Sequence, residues 1–425
     1  MIKKLLKTIL NMILSLFLVG ILFTGAGKAV LFFNEYRAQK AETEEVFGEN
    51  PAENLLEDLS GDLSESPAEN SEDVSSNSTT AAPWESGLTA YEQLSEEEQR
   101  VYDQIAAGIE AYEESISIKP SVSEEVLKKS AECVFIDHPE YFWYENQYVY
   151  WTSSLTGKVS DFEPTYSMTE GEKDAIALEI QEELDGFRQG IPEGASDYEK
   201  AKAAYEFVIF STEYAEGSSY NQSVVSVFLN KKTVCAGYAK AMQYLLHELD
   251  IPCAYVTGMA ASGDGNADSH AWNVVKLDQD YYYIDATWGD PVPSETGEKL
   301  EIEYAYLCGS PQMLEASHVM DIPIEMPACT SDAYDYYKMN HLYYDTYDAA
   351  EIESQLIRMA ENGEVSQIFV FGSYEASIQC KEDLSDSDMV ENAGRIWADR
   401  HGQNHWEWSV IYTEKLNKVE FIWTS

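Results

Sequence analysis

Residues 233–240 read TVCAGYAK, and the pattern continues as AGYAKAMQYLLHEL with Ala239, Met242, Leu245, Leu246 and Leu249 at helical spacing. A helix that begins on Cys235 constrains this chain more than any other feature. The N-terminus of a helix carries partial positive charge, which favours thiolate over thiol, and a thiolate is the nucleophilic form of cysteine. Further on, SHAWNVVKLDQDYYYIDATWGDP has two alternating stretches around a polar turn at Asp278, Gln279 and Asp280, which predicts a β-hairpin. His270 starts its first strand and Asp285 lies in its second. Adjacent strands run about 4.8 Å apart, so imidazole and carboxylate meet across the pair if the register or a bulge permits.

Those three residues supply the parts of nucleophilic catalysis: a thiolate, an imidazole that takes and returns its proton, and a carboxylate that fixes the imidazole's tautomer. Singly, each has an ordinary reading, since a buried cysteine is usually a small hydrophobe. Trp272 and Trp288 flank the triad in sequence; they pack water away from the imidazole–carboxylate pair or face a substrate. Tyr238 is a core residue or a pocket wall, and Gly237 permits close approach of another backbone. The backbone N–H of Cys235 is the oxyanion donor to name.

The pattern V-C-A-G-Y-A-x-A, then IPCAYVTG, then H-A-W-N-V-V and D-A-T-W-G-D-P resembles the transglutaminase-like superfamily over roughly residues 195–310. The resemblance implies an α+β, papain-like core, in which a helix bearing Cys235 packs on an antiparallel sheet bearing His270 and Asp285. It assigns these residues as nucleophile, general base/acid and orienting carboxylate. Ala236 departs from a family position that is often larger or charged, and the family's upstream side-chain oxyanion donor has no counterpart.

Around this core the chain divides by composition. After Lys3, Lys4 and Lys7, residues Thr8 to Gly27 carry no charge, a length that spans a bilayer. Residues 1–34 therefore read as a membrane anchor or signal segment, with the bulk of the chain exported. No cysteine lies near the end of this segment to carry a lipid anchor. Residues 35–87 form an acidic, disordered linker; from Ala41 to about Ser86 there is no Lys or Arg, and such a segment cannot bury enough apolar surface to order itself. Residues 88–190 read as helix and strand, with a capping box at Ser95 and Glu98 and an aromatic strand in HPEYFWYENQYVYW. The catalytic region spans 191–320, with a helix begun by Ser196 or Asp197 and a further strand or edge at EIEYAYLCGS. Residues 335–425 alternate strand and helix, with Gly363 as a cap, and read as a small α/β module.

The net charge of −49, from 76 acidic against 27 basic residues, leaves no basic stripe for phosphates and excludes nucleic acid as a partner. No CxxC or HExxH spacing occurs, so neither metal nor cofactor is expected. DGNAD at Asp264 to Asp268 starts like a calcium loop, but Ser269 and Val275 stand where glycine and a bidentate glutamate are needed; it reads as a surface loop. The six cysteines leave an odd number once Cys235 is kept free. The expected function is acyl transfer through a thioester on a peptide or protein, including cell-wall peptides, with hydrolysis preferred. The alternatives are a protein-crosslinking transglutaminase and a non-catalytic binding module of the cell envelope.

Overall fold

The computed structural model describes residues 29–31, 88–262, 266–290 and 302–424. The apolar run Thr8–Gly27 and the acidic linker 35–87 lie outside the described residues. The architecture is mixed α+β, with three four-stranded sheets.

The first sheet has the order β1-β3-β4-β2, from β1 (Ala29–Leu31), β2 (Ile116–Val122), β3 (Tyr144–Thr152) and β4 (Val159–Tyr166). Helices α1 (Glu96–Glu110) and α2 (Glu124–Asp137) follow Ser95 and Ser123, whose hydroxyls accept from Glu98 N and Val126 N. The capping box at Ser95 is complete, as is that of Ser196 with Glu199. Tyr148, Tyr150 and Phe162 of β3 and β4 are buried, so the aromatic strand feeds the core. One apolar cluster joins Val101 and Ile105 of α1 to Leu245 and Ile284 of the segment that contains Cys235, His270 and Asp285. Residues 88–190 thus share a core with that segment.

Helices α3 (Glu170–Gly190) and α4 (Asp197–Ser211) lead to two short strands, β5 (Glu213–Tyr214) and β6 (Lys232–Thr233), which pair in parallel. Helix α5 (Cys235–His247) follows at once. It packs on the second sheet, ordered β10-β7-β8-β9, of β7 (Cys253–Ser262), β8 (Asn266–Leu277), β9 (Asp280–Ile284) and β10 (His318–Met320). The hairpin turns at Asp278, whose φ is 55°. Within DGNAD, residues 266–268 belong to β8 rather than to a loop, and Asp264 and Gly265 lie outside the described residues. EIEYAYLCGS is not a strand: Tyr304–Tyr306 is a 3-10 turn and Leu307 makes an isolated bridge to Ile284.

The third sheet, β11-β12-β14-β13, comprises β11 (Tyr343–Tyr344), β12 (Ser366–Phe371), β13 (Trp408–Thr413) and β14 (Lys418–Trp423). Its core is separate, built from residues such as Leu356, Phe369, Val390 and Phe421. Gly363 closes the helix Ala349–Asn362 with φ 78°, as expected. A helix at Tyr374–Leu384 was not legible from its weak apolar pattern. Val370 and Leu416 of this unit join a third cluster with Val256 and Trp272 of the second sheet.

Gly237 has a specific steric role. A Cβ there would lie 1.9 Å from Thr233 Oγ1 and 3.0 Å from Ser226 Oγ. The close neighbour is a hydroxyl pair rather than the expected backbone. Thr233 Oγ1 donates to the Asn221 carbonyl (2.8 Å) and lies 2.6 Å from Ser226 Oγ. These buried hydroxyls tie down the segment that delivers Cys235. Gly237→Ala is expected to lower unfolding free energy by roughly 1–3 kcal/mol, measured by urea denaturation.

Candidate active site

Cys235 occupies the first turn of α5, after Val234, which offers no side-chain cap. Of the first-turn amides, that of Gly237 donates to the Val234 carbonyl (2.9 Å), while no capping side chain competes for those of Cys235 and Ala236, as an anion or oxyanion requires. All six cysteines are described and free; Cys133, Cys253, Cys308, Cys329 and Cys380 are buried, and only Cys235 is half-buried. An accessible thiol at a helix start is the arrangement that makes a cysteine reactive.

Helix and sheet are locked together by buried polar bonds. Asn273 Nδ2 donates to the carbonyls of Ala239 on α5 (2.9 Å) and Ala254 on β7 (3.3 Å). Gln243 Nε2 donates to Ile136 O and Cys253 O. Asn273 lies three residues beyond His270 on β8, so this bond sets the strand carrying the imidazole against the helix carrying the thiol.

His270 and Asp285 do meet, but not as directly opposed residues. The β8–β9 register pairs Asn273 with Ile284; one further step puts Asp285 opposite Trp272. His270 and Trp272 share a face because side chains alternate along a strand. The pair is therefore diagonal, and β9 has ended before it: Asp285 caps the short helix Ala286–Gly289. His270 Nε2 donates to Asp285 Oδ2 at 2.8 Å. Asp285 Oδ1 accepts from the amides of Thr287 (2.9 Å) and Trp288 (3.1 Å). His318 Nε2 reaches the same Oδ2 at 3.2 Å.

Asp285 is completely buried. Burial opposes its charge, but the charge and hydrogen bond of His270, with His318, hold its carboxyl well below the usual carboxylate range. Burial likewise opposes a charged His270, and the charge and hydrogen bond of Asp285, with a hydrogen bond to Cys235, push it up to about 10. His270 thus has Asp285 and Cys235 as its two partners. With Nε2 committed to Asp285, Nδ1 is the nitrogen left to exchange a proton with the thiol.

The aromatic candidates pack around this pair. Trp272 is buried, with its ring 6.0 Å from that of His270 and 5.0 Å from that of His318. Trp288 is half-buried, 5.7 Å from His270 and 4.6 Å from His318. Tyr238 is fully buried and donates to Asp290 at 2.5 Å, with its ring against half-exposed Tyr214. Sequence reasoning missed His318 and Tyr214. Tyr214 is placed by β5 beside Thr233, and burial first, then the neighbouring Cys235, push the pKa of its hydroxyl up. His270, Asp285 and His318 bring their donor atoms within 4.8 Å of one another, a spacing that suits a metal ion; an ion there would displace both imidazole–carboxylate bonds.

Residues 186–286 match the family model described as the transglutaminase-like superfamily. The chain carries a transglutaminase-like domain. That match contains Cys235, His270 and Asp285 and stops short of His318. The domain is a distant homologue of the kyphoscoliosis peptidases of Mus musculus, 24% identical over 148 residues, and of Homo sapiens, 23% identical over 148 residues. In each case the match covers 31% of this chain and 22% of the relative, so the likeness spans about a fifth of the curated proteins. Among solved structures, the transglutaminase-like domain is similar to one described as a TGase, with a TM-score of 0.24 and 18% identity, over 31% of this chain and 41% of that one.

Asn273→Leu removes the donor shared by two buried carbonyls. Unfolding free energy is expected to fall by about 1–3 kcal/mol, and in guanidinium titrations the midpoint should drop without a change in slope.

Proposed function

We propose that this chain is an exported cysteine acyl-transfer enzyme that hydrolyses peptide or carboxamide bonds. The observation that carries the reading is the buried His270–Asp285 bond of 2.8 Å with Cys235 as the other partner of the imidazole. The name peptidase borne by the homologues supports the same choice.

The steps follow from the geometry. The Cys235 sulfur attacks the carbonyl carbon, and the oxyanion forms beside the N–H of Cys235, where no side-chain cap competes. The C–N bond breaks as His270 gives its Nδ1 proton to the departing amine, leaving a thioester. Water gives a proton to His270 Nδ1 as its oxygen attacks that thioester; the C–S bond breaks, the acid departs and the Cys235 sulfur leaves as thiolate beside the re-formed imidazolium. Asp285 keeps Nε2 engaged throughout. Trp272 and the half-buried Trp288 keep water off the imidazole–carboxylate bond, which strengthens it. Within this proposal the apolar run Thr8–Gly27 anchors the enzyme, the acidic linker spaces it from the membrane, and its substrates are peptides or proteins of the cell envelope.

Incubation with peptide and carboxamide libraries should give amine release and an acyl adduct on Cys235 detectable by mass spectrometry. Cys235→Ala should abolish both, and His270→Ala should lower kcat/KM on the order of 10³-fold. Turnover that survives Cys235→Ala would overturn the reading, and incorporation of an added amine in place of water would redirect it to cross-linking.

The pH profile has a signed expectation. His270 is held up to about 10, so the imidazolium that protonates the leaving amine persists through neutral pH and is lost as pH rises through that value. Steady-state kcat/KM should therefore fall on the alkaline side near pH 10, and not near the ordinary histidine value of about 6.5.

A further inference from the structure

We infer that His318 is a positioning residue of this site: by donating to the same oxygen of Asp285 as His270, it fixes the carboxylate that presents His270 to Cys235. The inference rests on the acyl-transfer reading above and adds a fourth residue to it, one outside the matched segment 186–286.

The sheet register explains how a residue so distant in sequence arrives there. Strand β7 lies between β10 and β8. It pairs Ala260 with His318 on one side and Gly258 with His270 on the other. Residues paired directly or two apart along a strand share a face, so His318, Ala260, Gly258, His270 and Trp272 all look the same way. Opposite the two histidines the central strand contributes only a methyl group and a hydrogen, and opposite Trp272 it carries Val256. The rings from its two neighbours close over it. A Cβ on Gly258 would lie 2.8 Å from the Trp272 ring and 2.0 Å from the Val319 carbonyl, so nothing larger fits beneath them.

His318 is buried, and both of its ring nitrogens are engaged, Nε2 by Asp285 (3.2 Å) and Nδ1 by Ser317 Oγ (2.8 Å). A bare Nε2 lone pair would face the lone pairs of a carboxylate, so the contact requires a proton on Nε2. The amides of Thr287 and Trp288 hold only Oδ1, and they come from the helix that Asp285 itself begins. Oδ2 is held by two imidazoles from two different strands. With both in place the carboxylate cannot turn about its Cβ–Cγ bond. Without His318, Oδ2 would be held by His270 alone, and the other oxygen only by amides of the helix that Asp285 itself begins.

The ring of His318 also packs between Trp272 and Trp288, so a packing role must be separated from a donor role. His318→Phe keeps a ring and loses the donor, while His318→Gln loses the ring and keeps an N–H near the place of Nε2. The readout is the rate of Cys235 alkylation by iodoacetamide at pH 7 on the full chain, followed by mass spectrometry beside a thermal melt. The wild type should react faster than a free thiol and His270→Ala should lose that advantage. His318→Phe should be slower than wild type by about tenfold, and His318→Gln should recover to within about twofold. If His318→Phe does not fold, His318→Asn, whose amide is too short to reach Oδ2, takes its place with the same expected slowing. Wild-type speed in the variants lacking the donor, or a His318→Gln variant as slow as they are, would overturn the role of His318 alone. A wild-type Cys235 no faster than a free thiol would overturn the acyl-transfer reading and this inference together.

Discussion

The carboxylate of Asp285 is the constraint around which the site is built. A fully buried charge is costly unless it is paired and hydrogen-bonded. Here four donors surround it, two backbone amides on one oxygen and two imidazoles on the other. Satisfying it dictates that β9 end at Ile284, that a helical turn start at once, and that strands β8 and β10 each place a histidine on the same face. The indoles of Trp272 and Trp288 then wall the cluster. Removing one partner leaves the others buried without compensation.

Holding a thiol against that cluster is a separate task, done by polar bonds in the core. Asn273 ties β8 to α5, and His247 and Gln243 tie α5 to Cys253 at the start of β7. At the other end of α5, a glycine makes room for two hydroxyls that pin the approach to Cys235. Groups set on a helix and a sheet by buried hydrogen bonds keep their geometry better than groups on loops. Cys235 combines this rigid support with being the one cysteine of the six that is not buried.

Local signals were legible and non-local ones were not. The capping box at Ser95, the helix starts at Ser196 and Cys235, the hairpin turn and the cap at Gly363 all depend on residues within a few positions of one another. The closeness of His270 to Asp285 was only conditionally readable, because it depends on a diagonal register and on where a strand stops. His318 was invisible, since it arrives on an edge strand far along the chain and carries no spacing signature. EIEYAYLCGS alternates like a strand, yet Cys308 has φ 53°, which a continuing strand does not accommodate. Lys240 falls among the buried residues of α5, with its ammonium 3.2 Å from the centre of the Phe135 ring, and burial pushes its pKa down to about 7. A lysine in a helix pattern ordinarily marks the solvent face, so nothing in the sequence announces this one.

The central claim is that His270 sits charged between the Cys235 sulfur and a buried carboxylate. Nitrogen-15 NMR of the His270 side chain at neutral pH measures that directly. The account predicts that both ring nitrogens carry protons and that the Nε2 proton, shared with Asp285, resonates far downfield. A neutral ring, with one protonated and one bare nitrogen at pH 7, would contradict it.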